Sequence, residues 1–244
     1  MKKKIPFLGI RINPLRREEI VSELLDLAQS PLSSTACYLN AHCVNVASRD
    51  QEYREILNQA DLVYAGGQGV VWAARFLGKP LPERVNILDF FPDLVRGLKE
   101  HKITLYLLGS RAEVVKKAEK ALKDLGVLVL GSRQGFFALQ EEEEIIREIN
   151  RLAPDILMVG MGVPAQEKWL ARNRAALQVP LCWAVGGFFD VFAGRWQRAP
   201  GWVSRGGLEW LWLGLQGPKR LLSRYLPGNI IFIFRALEHK LKNL

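Results

Sequence analysis

Short apolar runs alternate regularly with amphipathic segments along most of the chain, and this alternation constrains the fold more than any other feature. The run Ile103–Leu108 ends in glycine and serine and precedes a segment with helical periodicity, Ala112–Leu125, and similar pairs follow. Strands that alternate with helices in this way are typical of a doubly wound, mainly parallel sheet. The sequence therefore predicts an α/β, Rossmann-like domain over residues 1–194, with Phe7–Ile12 as its first strand.

Polar or glycine-rich corners follow the predicted strands where each strand ends. Because the carboxyl ends of parallel strands meet at one edge of a sheet and feed helix N-termini there, such corners are typical of anion-binding sites. Glycines also let backbone amides approach a phosphate closely. The plainer alternative is that Gly66–Gly69 is only a tight strand-to-helix turn. The residues expected at this edge are Asn40, His42, Gly66, Gly67, Gln68, Gly109, Ser110, Gly135, Phe136, Gly160, Gly162, Gly186 and Gly187, with Gln166 beside them.

A proline-punctuated segment, KPLPERVNILDFFPDL, is predicted to carry Arg84, Asn86 and Asp89 on a connection that leads into a helix near Asp89. Arg84 is the cation that suits a diphosphate. Backbone amides, one arginine and helix N-termini together fit a nucleotide-diphosphate donor, and we expect no metal or other cofactor. The four glutamates Glu141–Glu144 are interpreted as a solvated first helical turn.

The last fifty residues differ in composition from the rest and are predicted to form a helical appendage, residues 195–244. Nine of the 34 Lys and Arg residues follow Gly194, against only two of the 25 acidic residues, and four tryptophans lie among them. Aromatic residues and arginines interleaved with leucines favour a helix in a membrane interface, although packing on the core or on a second copy is the alternative. A nucleic-acid partner, which would give steep salt dependence, fits this apolar density less well. The first apolar stretch, LEWLWLGLQGPKRLLSRYL, is predicted to break at Gly217 and Pro218, and the second, IIFIFRALEHKLKNL, is predicted to be a short helix capped by Asn229. Neither stretch reaches the length of a membrane span.

The three cysteines, Cys37, Cys43 and Cys182, form no CxxC pair and suit neither a disulfide framework nor a metal site. We predict buried, reduced thiols in a cytosolic compartment. The N-terminal apolar run is broken by Pro6 and is too short for a signal peptide.

Several motifs in order make the chain resemble a known family over nearly its whole length. They are LNAHCVNVA, ADLVYAGGQGVVWAARFLG, LPERV, LYLLGS, GFF, PDILMVGMGVPAQEKW, VGGFFDVFAG and RAPGWVSRGGLEWL. On these the chain resembles the WecG/TagA/CpsF family, glycosyltransferase family 26, whose members add N-acetylmannosamine-type or related sugars to lipid-linked intermediates of cell-surface polymers. The resemblance implies a UDP-sugar donor and a polyprenyl-diphosphate-linked acceptor.

Pocket roles follow from the resemblance, position by position. It implies that Asn40, His42, Arg84, Gln166 and Asp190 line the pocket, with Arg84 stabilising the leaving diphosphate and Gln166 contacting nucleotide or sugar. The terminal appendage of the family is thought to lie on the membrane and to close over the site with arginines. The nearest candidates here are Lys219, Arg220 and Arg224.

The chain also departs from the family pattern. Gly66 stands where the family usually has an aspartate that resembles a general base, and Ala41 replaces a usual threonine. Loss of a base costs about 10²–10⁴ in rate where proton transfer limits. Asp89 and His42 are candidate substitutes, although His42 also fits a structural role and Asp89 a helix cap. The alternative for Asp190 is that it only orders its loop.

Two functions remain open at the level of sequence. The first is an inverting glycosyltransferase that moves a hexosamine-type sugar from a UDP donor to a lipid-linked acceptor. The second is a weakly active or non-catalytic relative that binds nucleotide-sugar or lipid, because Gly66 replaces the aspartate. Measurement of UDP release distinguishes these two functions, because only the glycosyltransferase releases UDP with turnover.

Overall fold

The structure, a computed structural model, describes residues 2–216 and 219–242, and of these the side chains of Arg205, Leu213 and residues 219–226 are outside the description. Its strands are β1 (Ile5–Phe7), β2 (Ile10–Ile12), β3 (Ser34–Leu39), β4 (Leu62–Ala65), β5 (Thr104–Gly109), β6 (Leu128–Arg133), β7 (Ile156–Gly160) and β8 (Leu181–Ala184). Its helices are α1 (Arg17–Ala28), α2 (Ala41–Ala47), α3 (Gln51–Gln59), α4 (Gln68–Phe76), α5 (Ile87–Glu100), α6 (Ala112–Asp124), α7 (Glu142–Leu152), α8 (Ala165–Asn173), α9 (Phe188–Phe192), α10 (Gly201–Arg205), α11 (Glu209–Gln216) and α12 (Lys219–Lys242).

Six strands form one parallel sheet in the order β4-β3-β8-β7-β5-β6. Leu39 pairs with Ala65, and Val159 pairs with Ala184, so neighbouring strands end nearly level with one another. Since all strands run the same way, their carboxyl ends share one edge, from which the polar corners leave. The predicted doubly wound α/β fold is confirmed.

Helices cover both faces of this sheet, which explains why its strands read as almost continuous apolar runs. One buried cluster joins the sheet to α2, α3, α4, α7, α8 and α12, and the other joins it to α1, α5, α6 and α9. Cys37, Cys43 and Cys182 are buried free thiols within these layers, as predicted. Both faces of the sheet are therefore closed, and its carboxyl edge remains as the place for a site.

The chain begins with a hairpin, so the predicted single strand Phe7–Ile12 is wrong. Strands β1 and β2 pair antiparallel, with Phe7 opposite Ile10. The turn between them passes through Leu8 and Gly9, both at positive φ. Gly9 supplies the left-handed conformation that this two-residue turn needs. The prediction missed the turn because the residues around Gly9 form one apolar run, which is typical of a single strand.

Two predictions about helix starts are also wrong. Helix α5 begins at Ile87 and is capped by Asn86, whose Oδ1 accepts a bond of 2.9 Å from the Leu88 amide. Asp89 therefore lies inside its first turn and neither caps it nor sits on the connection. Asn229 does not cap a short helix, because α12 continues through Pro227. The predicted break at Gly217 and Pro218 lies outside the described residues.

Helix α12 packs on the α/β layer along one side only. Phe232 and Ala236 are buried against the core, and Asn45 of α2 donates a bond of 2.6 Å to the Gly228 carbonyl. The opposite side leaves apolar side chains in solvent, at Ile230, Ile233, Phe234, Leu237 and Leu241. In the part of the chain that is described, no helix combines the length and the apolar character needed to cross a membrane.

Candidate active site

A cavity of about 730 Å³ lies at the carboxyl edge of the sheet, beside the ends of β3, β4 and β8. Helix α4 and the C-terminal helices α11 and α12 form its outer walls. Six of the residues expected at this edge line it together, Asn40, His42, Gly66, Gly67, Gln68 and Gly187, and Arg84 joins them from the connection before α5. The sequence-based prediction of a shared pocket at the first two strand exits therefore agrees with the geometry.

Backbone contacts hold the exits of β3 and β4 against each other. The amides of Gly66 and Gly67 both donate to the Leu39 carbonyl, at 2.9 and 3.2 Å. Asn40 caps α2, since its Oδ1 accepts a bond of 3.0 Å from the Cys43 amide. A Cβ on Gly66 would lie only 3.2 Å from the Cβ of Tyr38, so a side chain at this position requires Tyr38 to shift. Close approach, more than backbone freedom, explains this glycine.

Arg84 lies at the polar end of the cavity between two carboxylates. Its Nη1 is 2.8 Å from Oε2 of Glu209, and its Nη2 is 2.6 Å from Oδ2 of Asp89. Asn86 donates a second bond, of 3.1 Å, to the same Glu209 oxygen. The side chains of Arg84 and Glu209 are each only 13% exposed. Both Nη atoms therefore already donate to carboxylates, and a diphosphate would bind to the N–H groups of this guanidinium that these bonds leave available.

Glu209 comes from the C-terminal helices and was missed by sequence reasoning. Burial raises the pKa of its carboxyl above the usual value, while Arg84 opposes that rise. Its partner in the ion pair lies 125 residues earlier in the chain, so no local spacing connects the two. In the sequence, Glu209 appears only within the LEWL motif, and the resemblance to the family assigns no role to that glutamate.

The remaining wall of the cavity is apolar. Trp72 and Phe76 of α4 face Phe232, Ile233 and Leu237 of α12 across it. Trp72, Phe76, Ile233 and Leu237 are also partly exposed, so this wall continues to the outer surface. One cavity thus joins a polar end, at the strand exits, to an apolar side that opens beside α12.

A second set of predicted residues gathers at the ends of β5, β6 and β7 and does not line this cavity. Ser110 Oγ donates a bond of 3.1 Å to Asp190, and Arg195 donates one of 2.8 Å to the other oxygen of the same carboxylate. Gly109, at φ +150°, packs directly on the backbone of Gly160 and leaves no room for a Cβ. This second set contains Gly109, Ser110, Gly135, Phe136, Gly160, Gly162 and Asp190.

Comparison with known proteins identifies the family. The family model described as Glycosyl transferase WecG/TagA/CpsF family matches residues 5–244. The chain belongs to this family. Proteins of Staphylococcus aureus strains MW2 and NCTC 8325 are each 31% identical over 204 residues, which cover 83% of this chain and 79% of theirs. Both are named N-acetylglucosaminyldiphosphoundecaprenol N-acetyl-beta-D-mannosaminyltransferase.

Membership of the WecG/TagA/CpsF family confirms the resemblance inferred from the motifs and makes this chain a member of a glycosyltransferase family. The relatives are named for transfer of N-acetylmannosamine to a lipid-linked N-acetylglucosamine diphosphate. A cavity with one polar end and one apolar side is compatible with two substrates of such different polarity.

Gln166, a predicted ligand contact in this family member, is fully buried and already bonded. Its Oε1 accepts bonds from the amides of Gly162, at 3.3 Å, and Gly186, at 3.0 Å. Its Nε2 donates a bond of 2.7 Å to Glu167. These bonds tie together the glycine turns after β7 and β8. Contact of Gln166 with nucleotide or sugar stays a prediction.

The other predicted roles in this family member divide as follows. His42 lines the cavity. Asp89 does not line it, and both of its carboxylate oxygens accept bonds from arginines, Arg84 and Arg198. The side chains of Arg220 and Arg224 lie outside the described part of the chain. The catalytic roles of His42 and Asp89 stay predictions.

Proposed function

We propose that this chain transfers a hexosamine of the N-acetylmannosamine type from a UDP donor to a polyprenyl-diphosphate-linked sugar, with inversion, during synthesis of a cell-surface polymer. The observation that carries the proposal is the single cavity that joins the polar strand exits to an apolar wall beside α12. Family membership supplies the class of reaction, and the relatives' names supply the type of sugar and acceptor.

The polar end of the cavity is assigned to the donor. Arg84 holds the leaving diphosphate, aided by the amides at the start of α4, which begins at Gln68 on the wall of the cavity. The hydroxyl oxygen of the acceptor bonds to the anomeric carbon as the bond from that carbon to the diphosphate oxygen breaks. The hydroxyl proton passes to a base, and the electron pair of the broken bond leaves with UDP.

The apolar side of the cavity is assigned to the lipid end of the acceptor. Its wall between α4 and α12 is continuous with the exposed apolar side chains of α12. A polyprenyl chain that emerges there would pass directly into a bilayer against which α12 lies. We therefore place the protein peripherally at the inner face of the cell membrane, with the basic, tryptophan-rich segment 195–244 as the membrane-facing part.

Release of UDP from a panel of UDP-sugars, with a lipid-linked N-acetylglucosamine diphosphate acceptor, tests the proposal. Native protein is compared with Gly66→Asp, whose new Cβ requires Tyr38 to shift by a few tenths of an ångström. Acceptor-dependent release by the native protein supports glycosyl transfer with a base other than residue 66. Release in no combination, together with no binding of UDP, would remove the proposal.

A second candidate is a nucleotide-sugar-binding relative without turnover. The observation that favours it is Gly66, which leaves the exit of β4 without a carboxylate. In that case the native protein would bind UDP without transfer, and Gly66→Asp alone would release UDP in the same panel.

A further inference from the structure

Glu209 is the one side chain with a carboxylate among the described residues that line the cavity. It stands at the start of α11, where the C-terminal helices meet the strand exits. Two bonds fix it, from Arg84 at 2.8 Å and from Asn86 at 3.1 Å. Oε2 accepts both of these hydrogen bonds, so neither of them involves Oε1. A carboxylate with a fixed position and little exposure in the wall of the cavity can accept the proton of a hydroxyl that binds there.

We propose that Glu209 is the general base that takes the proton from the acceptor hydroxyl, an inference that rests on the proposed glycosyl transfer. In the step, the hydroxyl proton moves to the Glu209 carboxylate while the hydroxyl oxygen bonds to the anomeric carbon. The bond between that carbon and the diphosphate breaks, and its electron pair leaves with UDP on Arg84. Charge and atoms balance without a further reactant.

Asp89 is less suitable than Glu209 for this role. It does not line the cavity, and its two oxygens are occupied by Arg84 and Arg198. Arg198 also donates a bond of 2.9 Å to the Leu88 carbonyl, which fixes that guanidinium beside Asp89. Asp89 therefore orients the arginines, and Glu209 faces the space where substrates bind.

Binding of the donor would prepare Glu209 for proton transfer. The charged groups that act on it are Arg84, Asp89 and Arg198, and His42 lines the same cavity. Burial raises the pKa of Glu209, whereas Arg84 lowers it. A diphosphate on Arg84 compensates the guanidinium charge and weakens that lowering, so the carboxylate becomes a stronger base once the donor is in place.

Steady-state transfer by the full chain, with Glu209→Gln beside native protein, tests the assignment. Gln keeps the shape and an oxygen for the bonds from Arg84 and Asn86, but it cannot take the proton. At saturating UDP-sugar and acceptor we expect kcat to fall by about 10²–10⁴, while the Kd for UDP stays within about threefold of native or becomes tighter. Glu143→Gln, at an exposed site on α7, is the matched control and should keep native kcat.

The pH profile distinguishes a base from a structural residue. The native rate should rise with pH as Glu209 loses its proton, and Glu209→Asp should retain this limb with partial activity. Glu209→Gln should lack the limb. A kcat for Glu209→Gln within about tenfold of native, or a loss confined to UDP affinity, would overturn the assignment while leaving glycosyl transfer in place. Transfer abolished only in His42→Gln would overturn it in favour of the histidine, and UDP binding without native transfer would overturn both proposals.

Discussion

Glu167 is a carboxylic acid enclosed in the core beside the turn after β7. Its side chain is fully buried, and its Oε1 accepts a bond of 2.7 Å from Gln166. Its Oε2 has no hydrogen-bond partner among the described residues. Burial raises its pKa from 4.5 to about 7, and the neighbouring Cys43 thiol, whose pKa is raised to about 12, stays protonated. The folded state therefore favours the neutral acid.

The stability of the protein should consequently fall as the pH rises between about 4.5 and about 7. In this window Glu167 is ionised in the unfolded chain and neutral in the folded chain. Ionisation therefore stabilises the unfolded state and lowers the free energy of unfolding by about 3 kcal/mol. Above about pH 7 the loss is complete and this contribution becomes flat. Below about 4.5 both states hold the proton.

Glu167→Gln should remove this pH dependence, because Gln stays neutral at every pH in the range. Urea unfolding between about pH 4.5 and about pH 7.5 measures the free energy of unfolding for both proteins. Glu143→Gln, at an exposed position, should keep the native slope. A slope for Glu167→Gln equal to that of the native protein would show that other groups cause it.

At the scale of single residues, short motifs indicated which residues would lie at the first two strand exits, but they did not indicate that Glu209 would line the same cavity. Asn40, Gly66 and Arg84 were found because each lies in a short motif at a predictable strand end or connection. Glu209 reaches the same cavity only through the packing of helices far along the chain. Gln166 was placed correctly beside the edge, but burial and its bonds to two glycine turns are tertiary facts that no local pattern contains.

At the scale of elements, alternation of strands and helices predicted the parallel sheet, and the errors lie at single glycine, proline and asparagine residues whose effect on the chain depends on their surroundings. Gly9 turns an apolar run into a hairpin, whereas Pro227 does not end α12. Proline in a helix interior removes a hydrogen bond and usually ends the helix there, so a sequence alone favours a break. The bond from Asn45 to the Gly228 carbonyl and the burial of Phe232 and Ala236 hold the helix to the α/β layer directly after that proline.

The turn between α10 and α11 positions Glu209 and gives a prediction at this scale. Gly207 in this turn has φ +69°, and a Cβ there would lie 2.5 Å from the ring of Trp72. Gly207→Ala should displace α11 and lower kcat for transfer by about tenfold or more, because effective catalysis depends on positions held within about an ångström. The measurement is acceptor-dependent UDP release.

Gly194→Ala is the matched control for that turn. Gly194 has φ +72°, but a Cβ there meets no atom within 4 Å. Both variants place alanine in the left-handed region, at about 1–2 kcal/mol each, and only Gly207→Ala meets Trp72. Equal effects on transfer would mean that backbone strain alone is responsible and that α11 is not held through Trp72.

At the scale of the whole molecule, α12 has two sides with different partners. Its inner side closes the cavity through Phe232 and Ala236, and its outer side exposes a stripe that contains Ile230, Phe234 and Leu241. Residues three, four and seven apart lie on one face of a helix, so this stripe is continuous. An apolar stripe of this kind on a helix that also lines the cavity favours contact with a bilayer, and a second copy of the chain is the alternative.

Phe234→Ser/Leu241→Ser tests the outer side without touching the cavity. These side chains are 66% and 72% exposed and do not line the cavity, so transfer to a short-chain, water-soluble acceptor should stay native. Full burial of each is worth about 1.5–3 kcal/mol, so binding to anionic phospholipid vesicles should weaken by about tenfold or more. Transfer to a polyprenyl-linked acceptor in those vesicles should fall in parallel.

Leu32→Ser, at a leucine that is 73% exposed on the α/β domain, is the matched control for loss of an apolar surface residue and should bind vesicles normally. Sedimentation of protein with vesicles and size-exclusion chromatography are run on the same samples. Unchanged vesicle binding by the α12 variant would contradict the membrane role. If the native protein instead elutes as a dimer that only the α12 variant dissociates, then the exposed stripe joins two copies of the chain, and the proposed contact of α12 with the bilayer is wrong.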